Sequence, residues 1–184
     1  MARSKLEGLV FLTLFGACIP AANWLIGHFG SVCVPQGPCL IPVAPGIEAP
    51  SGVLMIGLAL VLRDLVQRRL GLYWSTAAIL AGAALSALVA PPRLVTASAV
   101  AFLLSEFADL LVYTPLQRRR LVMAVLASGL AGLFVDSVVF LYLAFGDLSF
   151  LPGQVIGKAW MVLLSLPVIR WLRERDQRLG IQPA

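Results

Sequence analysis

Residues 121–144 read LVMAVLASGLAGLFVDSVVFLYLA, from Leu121 to Ala144, with Asp136 as the one charged side chain. As a helix rising about 1.5 Å per residue, this stretch extends about 36 Å, enough to cross a hydrocarbon core of roughly 30 Å. A soluble domain has little use for it. The chain around it is 60% hydrophobic and 12% charged, with a mean hydropathy of +0.93, more apolar surface than 184 residues can bury against themselves. The bilayer is therefore the expected solvent.

Working outward, five further runs match the span length: Leu94–Tyr113 and Pro152–Trp171 on either side, then Tyr73–Ala90, Ser51–Leu70 and Leu6–Phe29. Breakers separate them. Gly71, the pair Pro91 and Pro92, Pro115 and Gly146 each follow a run, and Pro152 stands where a helix can begin. The expected fold is all-α, a single six-helix transmembrane domain over 1–184 (helices 6–29, 51–70, 73–90, 94–113, 121–144 and 152–171). No internal repeat points to an inverted-repeat transporter.

Basic residues fix the expected direction. Arg3 and Lys5 precede the first helix; Arg63, Arg68 and Arg69 approach the end of the second; Arg118, Arg119 and Arg120 follow the fourth; Arg170, Arg173, Arg175 and Arg178 end the sixth. With six spans these share one side, and only Arg93 and Lys158 fall toward the other. Both termini are then cytoplasmic. The net charge of +5 is thus a topology signal and not a nucleic-acid surface, since the clusters carry no interleaved aromatics.

The first run resembles a secretory signal, with Phe15-Gly16-Ala17-Cys18 as a poor cleavage box. It continues through Trp24 and Ile26, long enough to span, and is read as retained. Residues 30–50 hold Pro35, Pro38, Pro42, Pro45 and Pro50, which exclude regular helix. They form an outer loop, either lying on the surface or dipping onto the bundle as a lid. Cys33 and Cys39 fall inside it. On an oxidising side they form a disulfide; otherwise they are two free thiols. No ligands for a metal accompany them, and no cofactor is called for.

Charges inside apolar spans are costly and mark candidate functional positions. They are Arg63 and Asp64 in the second helix; Glu106 and Asp109, with Ser105 and Tyr113, in the fourth; Asp136 and Ser137 in the fifth; Gln154 and Lys158 in the sixth. Phe102, Glu106, Asp109 and Tyr113 share one helical face, as do Gln154, Lys158 and Met161. Asp136 and Lys158 both lie about 10 Å below the outer helix ends, and Glu106 and Arg63 about 18 Å below. Two cross-helix pairs are expected: Asp136 with Lys158, and Arg63 or Asp64 with Glu106 or Asp109. The plainer alternative is helix gluing, worth about 1 kcal/mol per contact. Arg63 and Asp64 have a further alternative in snorkelling to the cytoplasmic surface.

Trp24, Trp74, Trp171 and Tyr73 fall near span ends, as an interfacial belt requires; Trp160 lies deeper, where it belongs to that belt or stacks on a planar ligand. His28, the only histidine, stands at the outer end of the first helix, without a G-x-S-x-G partner for hydrolysis; no Walker loop is present. No enzymatic role is expected and no catalytic residue is assigned. Ala127-Ser128-Gly129 reads as close helix packing. Ala17 and Ala21 in the first helix make a small-xxx-small pattern suited to a partner helix or a second copy of the chain.

Several motifs together resemble the vitamin uptake transporter (VUT) family, whose best understood members are queuosine precursor transporters. They are Arg63-Asp64-Leu65-Val66-Gln67-Arg68-Arg69-Leu70-Gly71, Ser105-Glu106-Phe107-Ala108-Asp109 running to Tyr113-Thr114-Pro115-Leu116, Val135-Asp136-Ser137, and Pro152-Gly153-Gln154-Val155-Ile156-Gly157-Lys158. The likeness runs in order from about Pro50 to Pro167. It implies a six-helix importer of 7-deazaguanines in the cell inner membrane, with a fold like the substrate-binding subunits of energy-coupling-factor vitamin transporters. An alternative role is such a binding subunit, dependent on a separate energising module. One departure is Arg68, where many members carry a Glu four residues after the second-helix Asp.

A guanine-like edge offers two adjacent N–H donors that a carboxylate accepts in bidentate fashion, while its carbonyl requires a donor. Glu106 is the first expected acceptor and Asp109 the second. Lys158 or Gln154 donates to the carbonyl, Asp136 orients Lys158, and Phe102, Phe140 or Trp160 stacks on the ring.

Overall fold

The computed structural model describes residues 2–35 and 37–184, with the side chains of Ala2 and Arg3 outside the description, so the topological role expected of Arg3 falls there too. Six helices form the body: α1 (Ala2–His28), α2 (Val53–Leu70), α3 (Leu72–Val89), α4 (Val95–Leu116), α5 (Leu121–Phe145) and α6 (Leu151–Leu179). Five of them, all except α2, are long and apolar enough to cross a membrane. The chain is a helical polytopic membrane protein. Its polarity is inverted relative to a soluble domain: Leu88 and Tyr73 are each 82% exposed, whereas Arg63, Lys158 and Glu106 are buried.

α2 owes its weaker apolar signal to its position. It packs against α1, α3, α5 and α6, and every residue from Ala59 to Arg69 is buried. Surrounded by protein, it has no broad face to show lipid and can carry Arg63, Asp64, Arg68 and Arg69 in its last two to three turns. Snorkelling of Arg63 and Asp64 is ruled out by their exposures of 0% and 1%. One apolar cluster joins Leu60, Val61 and Leu65 of α2 to α5 and α6; another joins Ala59 and Leu62 to Phe15, Cys18 and Ile19 of α1.

Small residues permit the close crossings. A Cβ on Gly57 would come within 2.6 Å of the Lys158 carbonyl oxygen, and one on Gly157 within 2.5 Å of Val53. α2 and α6 therefore meet nearly backbone to backbone. Gly71 alone separates α2 from α3, at φ 91°, a left-handed value that side-chain-bearing residues rarely adopt. Pro115 is not a stop: α4 continues through Leu116, because a proline in the last turn forfeits only one hydrogen bond there.

The Pro-rich segment is a departure from an all-α chain with a plain outer loop. It forms an antiparallel sheet of β1 (Val32–Cys33), β2 (Cys39–Ala44) and β3 (Ile47–Pro50), in the order β1-β2-β3. Cys33 pairs with Cys39, Ile41 with Ala49, and Pro42 with Glu48 before a bulge. The prolines are tolerated because β1 is so short: beyond Leu40 one flank of β2 is an edge, where a missing N–H costs little. A disulfide joins Cys33 to Cys39. The sheet lies on α1 and α6, burying Cys39, Leu40 and Ala49.

Candidate functional site

Just under the sheet, a cavity with about 580 Å³ of empty space, counting its open mouth, is lined by all six helices. Its polar wall comes from α5 and α6. The Lys158 ammonium donates to Asp136 at 2.6 Å, to the Ser137 hydroxyl at 2.9 Å and to the Gln154 side-chain oxygen, so its three protons are all used. Opposite stand Ser86 of α3 and Ser98 of α4, 2.8 Å apart, with Asn23 of α1. Ile19, Ile26, Val53, Ile56 and the rings of Phe102 and Phe140 complete the lining. A concave, mostly apolar space with a few convergent polar groups is what a small-molecule site requires.

A second charged tier lies beneath. Arg63 is ion-paired with Asp64 at 2.9 Å, with Glu106 at 3.3 Å and with Asp109, donates to Gln67 at 2.9 Å, and lies over the Tyr113 ring at 5.6 Å. Ser128 of α5 donates to Asp64 at 3.0 Å. Ser105 links the two tiers: it stands one helical turn after Phe102 and next to Glu106, and its hydroxyl approaches Asp136 at 3.5 Å. One guanidinium thus holds three carboxylates from α2 and α4 in a space closed to solvent.

A third tier closes the far end. Arg68 and Arg69 both grip Asp176 of α6, at 2.8–3.0 Å, while Arg69 and Arg175 reach Glu7 of α1. These bonds tie α1, α2 and α6 together.

The structure brings Asp136, Gln154, Lys158, Phe102 and Phe140 to the cavity. Glu106 and Asp109 stand one layer deeper and are not in its lining. Trp160 is 48% exposed on the outer side of α6, where its indole N–H donates to the Val43 carbonyl at 2.9 Å; it anchors the sheet instead of facing the cavity. Sequence reasoning passed over Asn23, Ser86 and Ser98, because one small polar side chain hardly changes the hydropathy of a span. It also passed over Gly57 and Gly157, whose only signal is their size.

A family model described as "Putative vitamin uptake transporter" matches residues 86–172. Over those residues, a little under half of the chain, the sequence is similar to the vitamin uptake transporter family. The matched stretch contains Ser86, Ser98, Asp136, Gln154 and Lys158, the greater part of the cavity's polar lining, with the rings of Phe102 and Phe140; Asn23 and the walls from α1 and α2 lie outside it. No curated protein and no solved structure matches the chain. Helices built for lipid, together with this likeness, support a membrane transporter.

Proposed function

We propose that this protein imports a queuosine precursor, a 7-deazaguanine such as 7-cyano-7-deazaguanine, its aminomethyl analogue or queuine, into the cell. The observation that carries the reading is the Asp136–Lys158–Gln154 wall in a cavity that also presents the Phe102 and Phe140 rings. Asp136 accepts the paired N–H groups of the guanine-like edge, Lys158 gives up one of its present side-chain acceptors to donate to the carbonyl, and the two phenyl rings provide apolar contact for the heterocycle. Glu106 and Asp109 come into play as the solute moves inward past Ser105. α2 serves as the sixth span, its charges neutralised within the bundle, and both termini then lie in the cytoplasm with Arg118, Arg119, Arg120 and Arg173.

Purified protein tests this directly. 7-Cyano-7-deazaguanine, the aminomethyl analogue and queuine should raise the melting temperature, while guanine and common vitamins should not, and Asp136→Asn should abolish the shift. Stabilisation by none of the deazapurines removes the substrate assignment.

A second reading, a binding subunit docked to an energising partner, draws on α1. Its Thr13, Ala17, Pro20 and Trp24 are exposed along one face, and a Cβ on the adjoining Gly16 would meet nothing within 4 Å. Uptake by the protein alone in proteoliposomes excludes that reading.

A further inference from the structure

At the end remote from the sheet, a recess opens between the ends of α2, α4 and α6 and the start of α5. Arg68, Gln117, Arg118, Arg119, Arg173 and Asp176 line it. Four guanidinium groups face one carboxylate, and that carboxylate is already spent: Asp176 accepts from both Arg68 and Arg69. Arg118, Arg119 and Arg173 make no ion pair among the described residues, and all three are exposed. The chain beyond α6 folds back as a further wall, with the Ile181 amide donating to the Asp176 carbonyl at 2.9 Å and the Ala184 amide to the Arg68 carbonyl at 3.1 Å. A strongly cationic, concave site remains.

The recess also presents an unsatisfied acceptor. Gln117 is 5% exposed, and its side-chain oxygen is buried without a hydrogen-bond partner. A buried polar atom of this kind calls for a donor from a ligand. Arginines select a phosphate; the Gln117 oxygen selects a hydroxyl on the same molecule. The surroundings indicate where such a molecule comes from. Leu111 of α4, Met123 of α5 and Trp171 of α6 are exposed within two turns of the recess on the same helices, a surface for acyl chains beside a site for a headgroup.

We propose that this recess binds the headgroup of an anionic phospholipid carrying a phosphodiester and a free hydroxyl, of which phosphatidylglycerol is the simplest. The arginines take the phosphate and Gln117 accepts from the glycerol hydroxyl. The site is separate from the sheet-end cavity and does not depend on the solute assigned to it. By bridging α4, α5 and α6, the bound lipid holds the far ends of these helices together.

Native mass spectrometry of the full chain, released from detergent with phosphatidylglycerol, phosphatidic acid or phosphatidylcholine, tests the proposal. Phosphatidylglycerol should bind best and phosphatidylcholine worst. The triple variant Arg118→Gln, Arg119→Gln, Arg173→Gln should bind phosphatidylglycerol on the order of a hundredfold more weakly. Gln117→Leu should remove the preference for phosphatidylglycerol over phosphatidic acid while leaving the preference for both over phosphatidylcholine. Arg93→Gln, at the other end of the bundle, should change nothing. Single Arg173→Gln reports the same loss in smaller measure if the triple variant does not fold. Equal binding of phosphatidylglycerol and phosphatidylcholine by the wild type overturns the site, as does undiminished selectivity in the arginine variants. Displacement of phosphatidylglycerol by millimolar inorganic phosphate or glycerol 3-phosphate overturns the lipid as its source.

Discussion

The two ends of this bundle use the same chemistry to different ends. Near the sheet, one lysine is balanced by one aspartate, and the pair forms the wall of an empty space. At the far end, Arg68, Arg69 and Arg175 share Asp176 and Glu7 in a mesh that binds three helices. A minimal ion pair exposed to a cavity can exchange partners with a solute, whereas a mesh in which each carboxylate takes two or three guanidinium groups cannot do so without loosening the helices. The Arg63 tier lies between them. It is as closed as the far mesh but has the opposite imbalance, three carboxylates to one cation.

That imbalance sets the largest expected effect. Arg63→Met leaves Asp64, Glu106 and Asp109 together in a buried interior without the one cation paired with all three among the described residues, and breaking a buried pair by removing one partner costs about 3–5 kcal/mol. The variant should accumulate poorly in membranes and melt well below the wild type. If it matched wild-type yield and melting temperature, the tier would not be the closed cluster described here, and the contrast with the cavity wall would fail.

The cavity wall gives the next test, in which stability and transport are expected to part. Lys158→Met alone strands Asp136 and should cost about 3–5 kcal/mol, whereas Lys158→Met with Asp136→Leu replaces the pair by apolar groups and should recover most of that loss. Thermal melts of the two singles and the double measure the coupling. Uptake should remain lost in the double, since the donor and acceptor for the solute are both gone. A double variant that regains both stability and uptake would reduce the pair to a structural strut, like those at the far end.

How much of this was legible in the sequence follows from the same contrast. All six helices could be read because lipid demands about twenty apolar residues in a row, and Asp136, Lys158, Glu106 and Arg63 stood out as charges within such runs. α2 carries the weakest apolar signal of the six because it is central: a helix that touches lipid little has no need to look like a span. The sheet was hidden because five prolines argue against helix and against the interior of a sheet, and the brevity of β1 leaves Pro42 an edge to occupy. Asn23, Ser86 and Ser98 were illegible for the reverse reason, being too small to disturb the apolar runs that carry them.

The smallest effect concerns the roof of the cavity. The sheet that covers this end is held to α6 in part by the Trp160 indole donating to the Val43 carbonyl, a bond with a net worth of about 1 kcal/mol. Trp160→Phe keeps an apolar ring at the surface and removes the donor. Global melting should hardly change, because the bond joins the sheet to a helix already fixed by α2 and α5. Amide hydrogen exchange in β2 should quicken about fivefold, the factor corresponding to that energy. If Trp160 instead served the solute, as a stacking partner would, the same substitution would weaken binding of a 7-deazaguanine and leave exchange in β2 unaltered. The exposure of its ring and the direction of its hydrogen bond favour the first outcome.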